Sequence, residues 1–233
     1  MHWVTNRLAA GAERGFDAAW LRSLLVEAND GIVVTAGIVE GLAGAGANTK
    51  SILIAGFSAM AGGALALGGA RYAEEAAEFD ARRAIEAQEQ RQLNLSPEEE
   101  LAELVDLYER RGLSSALAKQ VAHELSRQDA LAAHLEAEHS LDLDVAPPSP
   151  VVTAFAAGVA FCLGSVVPLL SVALAPNAWR VWVTFLAVIV SLTVTSLVLA
   201  ASGLTDVRRT LIRSVSIGTL AMALTLLGGT LSQ

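Results

Sequence analysis

GIVVTAGIVEGLAGAGA (residues 31–47) decides what kind of protein this is. It reads as most of a membrane span, yet it carries Glu40 near its middle and follows Asp30 directly. A bilayer core takes about 20 residues of helix to cross, and a carboxylate held inside one is costly enough to mark a task. Outward from this stretch, four further apolar runs lie at roughly 51–70, 150–175, 178–201 and 211–231. Composition points the same way: 53% of residues are hydrophobic and 17% charged, with a mean hydropathy of +0.48, whereas soluble domains carry about 25% charged residues. The expected fold is all-α, a polytopic membrane protein with five transmembrane helices. No short apolar core with a small-residue cleavage site opens the chain, so a cleaved signal peptide is not expected.

Between the second and third runs the character changes. Residues 73–144 hold 18 Asp and Glu against 7 Lys and Arg, a net of −11, while the remaining 6 acids and 9 bases give +3. RYAEEAAEFDARRAIEAQEQRQ contains no Gly or Pro and continues the second run without a break, which predicts one long helix leaving the membrane. SPEEELAELVDLYERRG places Ser96 as N-cap, Pro97 at the first helical position and acids in the first turn, with Gly112 as the stop. SSALAKQVAHELSRQ predicts a third helix, and DALAAHLEAEH a fourth or its continuation. VAPPSP (145–150) reads as a rigid linker. The expected domains are 1–72 (N-terminal segment and spans one and two), 73–148 (acidic helical insertion) and 149–233 (spans three to five).

Arg7, Arg14 and Arg22 precede the first span, and Arg208, Arg209 and Arg213 lie between the fourth and fifth. The positive-inside rule therefore puts the N-terminus and the insertion in the cytoplasm, against which Lys50 and Arg180 dissent. Gly62, Gly63, Gly68, Gly69, Gly158 and Gly164 mark faces where membrane helices approach closely. Pro168 removes a backbone donor inside the third span. Cys162, the lone cysteine, excludes an intrachain disulfide and reads as a packing residue.

The chemistry lies in the acids. Asp30 and Glu40 are ten positions apart, roughly 15 Å along a helix and about 80° from a common face. Carboxylates stepped through a membrane helix suit a cation path or a proton relay. In the insertion, Glu74 and Glu78 (i,i+4), Glu86 and Glu89, and Glu100 and Glu103 (both i,i+3) each share a helix face. His134 and Glu138, at i,i+4, add a nitrogen suited to iron, zinc or nickel. Solvated helix faces carry such pairs too, so it is their clustering beside a membrane domain that points to metal. No phosphate-binding loop, nucleophile elbow or HExxH or CxxC motif is present, so an enzyme is not expected. The acidic insertion would repel nucleic acid.

NDGIVVTAGIVEGLAGAG, the second span ending GGARY, the insertion motif PEEELAELVDLYERRGL and the third span VAFCLGSVVPLL together resemble the vacuolar iron transporter family over almost the whole chain. The resemblance implies a homodimer that exports Fe²⁺, and often Mn²⁺, from the cytoplasm in exchange for protons. The path would run between the first two spans at the dimer interface. The family's first-span aspartate falls on Asp30, and its metal-gathering glutamates on Glu89, Glu100, Glu103 and Glu138. Leu67 stands where the family has methionine, Arg71 where it has Glu or Asn, and Gln92 where it has a carboxylate. His134 and Leu135 lie near its methionine pair. Glu40 supplies an acid where the family usually has a small or apolar residue.

The expected partners are the lipid bilayer, a second copy, protons and divalent metal as substrate, with no permanently bound cofactor. Arg outnumbers Lys fourteen to two, a bias that suggests a GC-rich bacterium and its plasma membrane. The competing expectation is a membrane-anchored protein that binds or senses metal without moving it.

Overall fold

The computed structural model describes residues 2–141, 143, 149–201 and 206–232, with side chains from Trp20 onward. The linker residues 144–148 and the side chains of Arg7 and Arg14 lie outside the described residues. All regular structure among the described residues is helical: α1 (His2–Gly44), α2 (Thr49–Leu95), α3 (Pro97–Arg110), α4 (Ser115–His139), α5 (Pro150–Leu174), α6 (Arg180–Ala201) and α7 (Val207–Leu231). They form two compact units: Met1–Tyr72 with Val151–Gln233, and Ala73–Pro150.

In the first unit α1 is the central helix. Its Ile32 and Ala36 pack on Val188 and Leu192 of α6 and Met222 of α7, while Val39 packs on Ile52 of α2 and Leu169 and Val172 of α5. Backbones touch where glycine allows it. A side chain at Gly31 would strike the Phe161 carbonyl of α5, and one at Gly164 the Ala28 carbonyl of α1. Of the glycines expected at close approaches, Gly63, Gly68 and Gly158 pack between α2 and α5, whereas Gly62 and Gly69 face open space. Pro168 lies inside α5, which continues past it.

Among the described residues, four helices are long and apolar enough to cross a membrane: α2, α5, α6 and α7. They turn apolar side chains outward, with Leu65 79%, Phe155 74% and Leu186 65% exposed. Water would penalise such faces, but hydrocarbon does not. The first helix is not among the four. Its inner positions Ile32, Ala36 and Val39 are enclosed by protein. It also starts far earlier than Gly31, because neither Pro nor a glycine pair interrupts residues 2–30.

The second unit contains the end of α2 with α3 and α4. Leu104 of α3 packs on Ala122, Ala133 and Ala137 of α4. Ser96 holds the N-cap position of α3 with Pro97 following, but its side chain makes no capping bond; its carbonyl accepts from the Glu99 and Glu100 amides instead. Gly112 closes α3 with φ +99°, a left-handed conformation that suits glycine. The helix α4 is broken at Asp129, whose backbone is extended and whose carboxylate accepts from the Ala132 amide at 3.0 Å. Asp129 thus caps a second helical segment, which carries His134 and Glu138.

Candidate metal centre and the carboxylates of the bundle

Four side chains of the second unit converge. Glu89 comes from α2, Glu100 from the first turn of α3, and His134 and Glu138 from the segment of α4 after its break. One ligand atom from each lies within 4.8 Å of all the others. The break at Asp129 sets the register of that segment, so the i,i+4 pair turns inward together. Glu100 faces inward with Leu104, four residues on, and the first-turn position sets its charge at the helix N-terminus. His134 Nδ1 lies 2.9 Å from Glu138 Oε1 and 3.8 Å from Glu100 Oε2.

Burial gives the cluster its character. His134 is fully buried, Glu89 is 2% exposed and Glu100 6%. Glu89 Oε2, Glu100 Oε2 and His134 Nε2 are buried without a hydrogen-bond partner, as is Gln92 Oε1 one turn beyond Glu89. Among the described residues, the ion pairs made by these carboxylates involve histidines and no lysine or arginine. Burial pushes the Glu100 carboxyl above its ordinary 4.5; His134 pulls it down, and the negative charges of Glu103, Glu89 and Glu138 push it up again. Buried acids gathered without a fixed cation are costly until something positive joins them. Three carboxylates and an imidazole are a donor set for Fe²⁺, Mn²⁺ or a similar divalent ion.

Two expected ligands are not in this group. The Glu86 carboxylate is held by Arg82 at 3.2 Å, and Glu103 is exposed on α3. Shared helical faces grouped these pairs in the sequence; burial separates them. One neighbour went unanticipated: His139 Nε2 lies 3.3 Å from Glu89 Oε1 and 4.0 Å from Glu138 Oε2. Its place directly after Glu138 was the available signal.

In the first unit the acids are dispersed. Asp30 is exposed and lines a cleft of about 230 Å³ with Asn29, Val33, Leu192 and Arg213. Glu27, one turn earlier on α1, is 1% exposed and bound by Arg71 of α2; Arg71 Nη2 and Nε lie 2.5 and 2.7 Å from Glu27 Oε1. Sequence reasoning marked Arg71 but missed Glu27.

Glu40 is fully buried and both its carboxylate oxygens lack a hydrogen-bond partner. It lies four residues before the end of α1. Arg180 of α6 is the charged group that acts on it electrostatically. The Arg180 guanidinium is itself buried, donating to Thr49 Oγ1 at 2.6 Å and to Asn177 Oδ1. Thr184 also lies near Glu40, but its hydroxyl donates to the Arg180 carbonyl at 3.0 Å. The structure therefore does not bring Asp30 and Glu40 together. One opens to a cleft, and the other turns into the bundle.

Comparison with known proteins adds the last observation. The model of the VIT family matches residues 21–230. A vacuolar iron transporter of Acanthamoeba castellanii is 33% identical over 162 residues, covering 70% of this chain and 59% of that relative. Vacuolar iron transporter 1 of Arabidopsis thaliana is 28% identical over 170 residues, 71% of this chain and 67% of the relative. Vacuolar iron transporter 2 of Oryza sativa matches with 28% identity over 167 residues, 70% and 67% of the two chains. A family match over residues 21–230 leads to one conclusion: the chain belongs to the VIT family.

Proposed function

We propose that the protein exports Fe²⁺, with Mn²⁺ as a second substrate, from the cytoplasm in exchange for protons, as a homodimer. The observation that carries this reading is the convergence of Glu89, Glu100, His134 and Glu138 in a chain that also holds membrane-crossing helices. The iron named for the relatives supports the choice of metal. In this reading α1 is the fifth transmembrane helix, and the insertion and N-terminus face the cytoplasm. The insertion gathers the ion, Asp30 receives it at the mouth of the path, and Glu40 carries it, or its counter-proton, across the middle. The open faces at Gly62 and Gly69 support a second copy packing on α2. The cellular site proposed is the plasma membrane of a bacterium.

A second reading has its own support. Glu27 is bound by an arginine and Glu40 has one within reach, as in a bundle that holds charge without passing ions. The protein would then bind or sense metal without transport. Uptake by purified protein in dye-loaded proteoliposomes separates the two, using Fe²⁺, Mn²⁺, Co²⁺ and Zn²⁺ with and without a pH gradient. Transport predicts Fe²⁺ and Mn²⁺ signals that grow with the gradient; metal bound to the protein with no dye response establishes the sensor.

A further inference from the structure

Glu27 and Asp30 stand one turn apart on α1, a spacing at which two carboxylates can grip one divalent cation. Here one of the two is already taken. Two N–H groups of Arg71 converge on Glu27 Oε1, at 2.5 and 2.7 Å. The carboxylate is buried, while the Arg71 side chain remains 33% exposed. Glu27 and Arg71 both act electrostatically on Asp30.

From this we infer that Arg71 is a tethered cation that sets how tightly the mouth of the path holds a divalent ion. The inference rests on the reading of Asp30 as that mouth. By binding Glu27, Arg71 withholds a second carboxylate from an ion at Asp30 and reduces the local formal charge from −2 to −1. A mouth with two free carboxylates would bind a divalent ion tightly and release it slowly, lowering KM and kcat together. Arg71 keeps binding weak enough for passage. Arg213, on the cleft wall beside Asp30, adds positive charge from α7 and is unaffected by the exchange at Glu27.

A purely structural role would also explain an ion pair joining α1 to α2, so the test must read transport as well as stability. Initial rates of Mn²⁺ uptake are measured against concentration in proteoliposomes of the full-length protein, for wild type, Arg71→Gln, Arg71→Lys, Glu27→Gln and Glu27→Gln/Arg71→Gln. Arg71→Gln should lower KM about tenfold with a reduced kcat, since a unit charge close to a divalent ion is worth at least that. Arg71→Lys should stay close to wild type, and the double variant should return KM towards wild type. Should Arg71→Gln fail to fold, Glu27→Gln gives the opposite sign: removing a negative charge one turn from Asp30 raises KM. The inference is overturned if melting temperature changes while KM does not, or if the double variant keeps the lowered KM. A wild-type protein that moves no Mn²⁺ removes the transport reading and this inference with it; a transporting wild type with an unchanged Arg71→Gln removes the inference alone.

Discussion

Acids keep different company in the two units. In Ala73–Pro150, Glu89, Glu100 and Glu138 turn towards one another and the His134 imidazole, leaving buried oxygens of Glu89 and Glu100 without partners. In the bundle, Glu27 is held by Arg71, and Glu40, though its oxygens lack a hydrogen-bond partner, feels the positive charge of Arg180. A carboxylate with a built-in counter-charge has its burial cost offset by the protein; one surrounded by other carboxylates must find its counter-charge elsewhere. The first arrangement suits a membrane interior, where charge must stay balanced along a path. The second suits a collector.

The comparison breaks most visibly if the collector is not one. Replacing Glu89, Glu100 and Glu138 together by Gln in the full chain should weaken binding of the first Mn²⁺ or Fe²⁺ by about 100-fold or more, given that groups merely supporting a metal ligand are worth about 10–100-fold. Calorimetric titration of wild type and variant checks this, and equal affinities would remove the cluster as a metal site.

Glu40 tests the other side. Glu40→Gln keeps the shape of a buried side chain but cannot exchange a proton, so uptake should fall to about a hundredth of wild type or less, the scale of losing one general acid–base group. The remaining rate should no longer respond to an imposed pH gradient, while metal binding by the insertion is retained. An unchanged gradient response would make Glu40 a structural partner of Arg180 and nothing more.

A smaller effect distinguishes the units by pH. Glu100 holds its proton more tightly folded than unfolded, because burial lifts its carboxyl above the ordinary 4.5. Between those two values the metal-free fold binds more protons than the unfolded chain. The stability Glu100 contributes is therefore greatest below that window and is lost as pH rises through it. Thermal unfolding of the metal-free protein should show this decline, and Glu100→Gln should remove that part of it. Metal binding, which displaces the proton, should tighten over the same rise in pH. A melting profile identical in wild type and Glu100→Gln would place Glu100 outside the coupled cluster.

The smallest effect belongs to the acids outside the group. Glu86→Gln should change metal affinity by less than about twofold, since its carboxylate is occupied by Arg82 in an i,i+4 pair of the kind worth only a few tenths of a kcal/mol. A tenfold loss in calorimetry would extend the site along α2.

Much of this was legible in the sequence because it is local. Pro97 and Gly112 bound α3, the absence of breakers runs α2 through to Leu95, and the acid at Asp129 starts the segment bearing His134 and Glu138. Helical spacing then put pairs of acids on shared faces. It did not tell which would be buried, so Glu86 and Glu103 stood level with Glu89 and Glu100. The charge balance of the bundle was hidden for a different reason. Glu27 and Arg71 are 44 positions apart, and Glu40 and Arg180 belong to α1 and α6. No periodicity within one helix announces a partner on another. Arg71 and Arg180 appeared as departures from a pattern, when each stands beside a buried acid.

The claim that the insertion's carboxylates and imidazole hold the metal is tested most directly by pulsed electron paramagnetic resonance of full-length protein carrying one Mn²⁺ per chain. The spectrum should contain coupling to an imidazole nitrogen that vanishes in His134→Ala and persists in Glu40→Gln. Absence of nitrogen coupling in the wild type, or its survival in His134→Ala with occupancy unchanged, would place the bound ion outside this cluster and contradict the account.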